Sequence, residues 1–188
     1  MMRALTTTAA GGLRRLLARV PLRRLIHHQD GASAIEFSLV ALPFLALLFA
    51  IIETAIVFLA GQSLETAAAS ASRLILTGQA QTQGLTATSF KTEVCKRLTA
   101  LFDCAGGIYV DVKNVGFAPA TAANPVKDGA LDPSGFKFNP GGPGEIVVMK
   151  LYYQWPIYVS LLNTGLTDLG GSKKLLVATA AFRNEPFQ

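Results

Sequence analysis

Gly31, Ala32, Glu36, Phe37 and Glu53 are the residues of this 188-residue chain whose types and spacing suggest chemistry: peptide cleavage followed by charge pairing. An arginine-rich leader gives way at Gly31-Ala32-Ser33-Ala34-Ile35-Glu36-Phe37 to a long apolar run. No side chain from Phe37 to Ile52 is charged, Glu53 interrupts once, and the uncharged pattern resumes from Thr54 to Leu64. A bilayer core about 30 Å thick is crossed by roughly 20 mostly apolar helical residues, so the run is long enough to span. Glu36 then stands at the mouth of a membrane helix, where a carboxylate is costly, about 2.5 to 3.5 kcal/mol at a helix centre. Cleavage after Gly31 accounts for it. The new ammonium on Ala32 would lie one turn from Glu36 at the favourable i, i+4 spacing, with the carboxylate facing the positive end of the helix dipole.

Other chemistry has less support. His27 and His28 are the only histidines, and they fall in the segment expected to be removed. They lack convergent metal-binding partners nearby, and without them the mature chain has no histidine for a serine or cysteine triad. Gly141-Gly142-Pro143-Gly144 has neither the lysine ending nor the following helix of a phosphate loop. No local pattern selects a pair of acids, so we expect a non-enzyme without cofactor or metal. Tyr109, Tyr152, Tyr153, Trp155 and Tyr158 read as core and sheet-face aromatics, with an exposed subset open to a partner or to headgroups.

The formal charge of +5 invites a nucleic-acid reading until it is divided along the chain. Arg3, Arg14, Arg15, Arg19, Arg23 and Arg24, with Asp30 as the one acid, carry all of it; the other eleven basic and eleven acidic residues cancel. A mature chain of zero formal charge has no electrostatic case for binding nucleic acid. The arginines instead place the N-terminus in the cytoplasm and everything after the span outside it. A mean hydropathy of +0.39 suits a single-span membrane protein. In an exported domain, Cys95 and Cys104, the only cysteines, are expected to form a disulfide.

The order of segments excludes an ordinary secretory signal, because the apolar run follows the small residues instead of leading to them. Leu13, Leu16, Leu17 and Val20 set against arginines give the leader an amphipathic look that suits a membrane surface, and Pro21 would break any helix there. We divide the chain into a cleaved basic leader (1–31), a long helix containing the span (32–77) and an exported domain (78–188). The helix, at 1.5 Å per residue, should be about 69 Å long and project beyond the bilayer. Pro43 should kink it, and Ala67, Ala68, Ala69 and Ala71 with Ser63, Ser70 and Ser72 offer a small-residue surface for close packing. After a polar linker at 78–84, Phe90, Val94, Leu98 and Leu101 recur at helical spacing and predict a helix over 89–102. Period-two alternation predicts a strand at 107–115, a second is read at 145–155, and 173–183 makes a third strand or, because its alanines dilute the β signal, a helix. Pro156 implies an edge or bend, and 116–144 reads as a long loop with little core. The fold class is therefore α+β: a membrane-spanning helix projecting into a small antiparallel sheet domain with one further short helix.

The stretch resembles the TadE-like pseudopilins of the Tad (Flp, type IVb) pilus machinery. The resemblance rests on Gly31 followed by Glu36-Phe37, on Leu39-Val40-Ala41-Leu42-Pro43, on Ile51-Ile52-Glu53 and on the alanine-rich 62–73, with Phe182 to Phe187 as a second, weaker match. Where family members often carry an aromatic and a glycine after the second glutamate, this chain has Thr54-Ala55. The resemblance implies cleavage by a prepilin peptidase after Gly31. From its charge pairing Glu36 is expected to serve assembly; Glu53, at the far interface if the span starts near Ala34, either makes a subunit contact in assembly or snorkels there. The implied partners are other pseudopilins, the major Flp pilin, the inner-membrane assembly platform and membrane lipid. It places the protein in the inner membrane, possible filament incorporation included, with its C-terminal domain in the periplasm. The competing expectation is a single-span, membrane-tethered periplasmic binding or sensor domain unrelated to pili.

Overall fold

Apolar residues of the second half of the long helix recur every three or four positions: Val57, Ala60, Leu64, Ala67, Ala68, Ala71 and Ile75. That spacing draws one stripe along a helix and requires a surface to cover it. The computed structural model supplies a sheet. It describes residues 31–98, 101–104, 106–116, 124–159 and 167–187. The leader, with His27, His28 and its amphipathic stretch, lies outside the described residues.

The first helix, α1, runs Ala32–Leu76 with Pro43 inside it. The chain divides into two compact units, Met1–Leu48 and Phe49–Gln188. In the first, the described residues are helical, and their large apolar side chains, from Ile35 to Leu48, are solvent-exposed. Among the described residues α1 is the one helix long and apolar enough to cross a membrane. We therefore describe the chain as carrying a candidate membrane anchor at its N-terminal end.

The second unit holds the sheet. Strand β1 (Ile108–Asn114) pairs antiparallel with β4 (Ile146–Pro156), which pairs antiparallel with β5 (Lys173–Arg183), giving the order β1-β4-β5. A hairpin of β2 (Val126–Lys127) and β3 (Ala130–Leu131) precedes a 3-10 turn at Pro133–Gly135. Alternation along the strands sorts the faces. Ile108, Val112, Val147, Met149, Leu151, Leu176 and Ala178 form one core with the buried stripe of α1. Each fully buried Val, Leu or Ile contributes about 1.5–3 kcal/mol relative to exposure, and the alanines let helix and sheet approach closely. Ala67, Ala68 and Ala71 are buried, whereas Ala69 and Ser70 face away.

Gly78 ends α1 at φ 77°, in the left-handed region that favours glycine. Its missing Cβ is also where the Phe187 ring packs, since a Cβ there would come within 2.2 Å of the ring. The neighbouring Glu185 N–H donates to the Leu76 carbonyl at 2.8 Å, satisfying one of the helix's terminal acceptors. The C-terminal stretch thus docks on the end of α1. Gly141-Gly142-Pro143-Gly144 serves the same junction: the Gln81 side chain donates to the Pro140 and Gly141 carbonyls, and that of Asn184 to Pro140 and Gly142.

Two elements differ from the sequence reading. The polar stretch 78–84 holds a one-turn helix, α2 (Gln79–Thr82), whose Ala80 is buried in the core. The next helix, α3, is Ala87–Cys95, opened by a reciprocal Thr86–Ser89 capping box and finished seven residues short of Phe102. After Cys95 the bonds shorten to i to i+3, with Arg97 N–H on Val94 and Leu98 N–H on Cys95, and Phe102 turns into the core beside Tyr153 and Trp155. The segment 116–144 also carries more structure than a bare loop. Lys137 to Asn139 bond to Val112 along the outer edge of β1, and Leu131 is buried.

Candidate functional site

The residues singled out at the N-terminal end are Gly31, Ala32, Glu36 and Phe37. Ala32 opens α1, and Glu36 follows four positions on, just past its first turn. Both Glu36 and Phe37 are exposed, Phe37 to 74%. Glu36 has no ion-pair partner among the described residues.

Glu53 is arranged otherwise. It lies on the same face as Val57, Ala60 and Leu64 and is 8% exposed. Its carboxylate accepts the backbone N–H of Tyr158 and, through both oxygens at 3.1 and 2.9 Å, that of Val159. A buried charge is tolerated only when hydrogen-bonded, and here two consecutive amides beyond β4 supply the bonds. Pro156 ends β4 and Ile157 donates to the Ser172 carbonyl, so the chain arrives at Glu53 already turned. The carboxylate clasps the loop to the helix. Tyr158 itself points outward and is 82% exposed, while Tyr152, Tyr153 and Trp155 are buried.

Cys95 and Cys104 form a disulfide, their Cα atoms 5.8 Å apart, tying the end of α3 to the approach to β1. Beside it Tyr153 Oη accepts the Asp103 N–H at 3.2 Å, and Gly107 leaves room for the Tyr153 ring.

The sheet face turned away from α1 contains a cleft of about 520 Å³ that sequence reasoning missed. Its floor comes from β1 and β4, where Asp111 stands directly across from Lys150 and Tyr109 across from Tyr152. Asp111 is 5% exposed; its oxygens accept the Lys113 ammonium at 2.7 Å and the Lys137 N–H at 2.9 Å. Phe136 stacks on Tyr152 with centroids 4.9 Å apart. Burial, helped by the Asp111 charge, pushes the Tyr152 hydroxyl above the ordinary tyrosine value. On the rim, hydrogen bonds from Lys127 and Ser134 hold Asp132 well below the usual carboxylate range.

Residues 31–73 match the family model of TadE-like proteins. That TadE-like segment takes in Gly31, Ala32, Glu36, Phe37 and Glu53, and it stops short of the disulfide, the sheet and the cleft. It associates the chain with the Tad pilus and its components in general. A search of curated proteins finds no match, nor does a search of solved structures.

Proposed function

We propose that this protein is a minor pseudopilin of a Tad (Flp, type IVb) pilus, cleaved by prepilin peptidase after Gly31 and acting in pilus assembly and hence surface adherence. The observation that carries the reading is the TadE-like segment beginning at Gly31, with Glu36 exposed and unpaired among the described residues four positions after the start of α1. Its carboxylate neutralises the Ala32 ammonium of its own or an adjacent subunit, so that a charged terminus can enter a helical bundle. The arginine-rich leader keeps the N-terminus cytoplasmic and the sheet domain periplasmic, with α1 as the single inner-membrane span. Its partners are the peptidase, other pseudopilins, the major Flp pilin, the assembly platform and membrane lipid. The protein contributes contacts, not catalysis, and needs no cofactor.

Glu36→Gln tests the reading. Membrane insertion should persist while pilus assembly is impaired; normal piliation in that mutant would remove the role given to the carboxylate.

A further inference from the structure

The cleft on the outer sheet face has a one-sided inventory of hydrogen-bonding groups. Its carboxylates are engaged: Asp111 takes Lys113 and the Lys137 N–H, and Asp132 takes Lys127 and the Ser134 N–H. Beside the Ser134 and Tyr152 hydroxyls, which can donate or accept, the side-chain groups left over are donors. Lys150 and Lys137 have no ion-pair partner for their ammoniums among the described residues. Asn124 and Asn139 each use the carboxamide oxygen on a backbone N–H, of Val126 at 3.0 Å and Gly141 at 3.2 Å, which leaves both NH₂ ends without a partner among the described residues. Four lysines against two aspartates give the lining a local excess of positive charge, on a chain whose residues beyond the leader sum to zero.

Lys150 decides the direction of the argument. It is half-buried on the central strand, and the carboxylate directly across from it, Asp111, is already taken by Lys113 and the Lys137 N–H. A partly desolvated ammonium without an anion is unfavourable, and an anionic ligand would relieve it. The free donors are spread over β4, the segment crossing β1 and the turn before β2. No arginine fork lines the cleft to gather them on one phosphorus or sulfur atom. Spread donors fit a ligand whose acceptor oxygens are spread along its length. The volume lies within the roughly 300–1,000 Å³ of small-molecule sites, and Phe136 adds an apolar wall.

We propose that this cleft binds an acidic oligosaccharide, a short run of carboxylated sugars, with Lys150 and Lys137 on the carboxylates and Asn124 and Asn139 on neutral oxygens. The site goes beyond the pilus reading and stands or falls separately from it. The test is calorimetric titration of the full chain in zwitterionic nanodiscs with a galacturonate trimer, a neutral trisaccharide, inorganic phosphate and a short polyglutamate peptide. The trimer should bind best, and Lys150→Met and Lys137→Met should each weaken it at least tenfold, whereas Lys96→Met, one residue past the end of α3 and paired with Glu93, should not. Lys137 is exposed, so its variant keeps the test sound if Lys150→Met fails to fold. Equal binding of the neutral sugar, of phosphate or of the peptide would overturn the assignment, as would trimer binding indifferent to both substitutions.

Discussion

Glu53 and Val159 stand 106 positions apart, and the Val159 backbone nitrogen lies within 3.1 Å of both Glu53 carboxylate oxygens. A helix residue thereby fixes where the chain goes after the central strand. Because Tyr158 also donates to this carboxylate, its exposed ring is held beside the segment of α1 that carries Glu53.

Removing the carboxylate should free that loop. Hydrogen bonds to charged groups contribute about 1.5–3 kcal/mol, so Glu53→Ala should destabilise the domain by about 2–3 kcal/mol, and Glu53→Gln, which keeps one acceptor oxygen, by less. Amide hydrogen exchange at Tyr158 and Val159 reads the effect directly. Faster exchange at these two amides is expected, and unchanged protection would show that the clasp holds nothing.

This contact was not legible in the sequence, and the reason is physical. Glu53 could be read as a break in an apolar run, but its partners are backbone amides more than a hundred residues away, which have no side-chain signature. The strands were legible because Ile108, Val110 and Val112 alternate with Tyr109, Asp111 and Lys113, and because the Lys173–Arg183 edge kept enough apolar residues despite its alanines. The cleft was hidden for another reason. Asp111 and Lys150 become neighbours only through the register of β1 on β4, and Lys137 joins them only because 137–139 return to the edge of β1. The end of α3 was overestimated because Leu98 and Leu101 continue the helical spacing, whereas the chain must turn there to bring Cys104 to Cys95 and Phe102 into the core.

Gly78 should resist substitution on two counts. An L side chain at its positive φ costs roughly 1–2 kcal/mol, and a Cβ would meet the Phe187 ring as well. Gly78→Ala should therefore lower thermal stability by more than the backbone cost alone. In a Phe187→Ala background the same substitution should cost less, since only the strain remains; equal costs in both backgrounds would show that the ring is not the obstacle.

The Cys95–Cys104 bond closes a loop of about ten residues, for which the chain-entropy model gives about 2.7 kcal/mol. Replacing both cysteines by serine should lower the denaturant midpoint by a corresponding amount, and reducing agent should then have no further effect. A double variant as stable as the oxidised protein would mean that the turn after α3 is held by the Tyr153 contacts alone.

The central claim concerns the junction between Gly31 and Ala32, and N-terminal sequencing of the protein from membranes of cells with and without prepilin peptidase tests it most directly. The account predicts a chain beginning at Ala32 when the peptidase is present and an uncleaved leader when it is absent. An intact N-terminus in both would contradict it, leaving a membrane-tethered periplasmic domain in place of a pseudopilin.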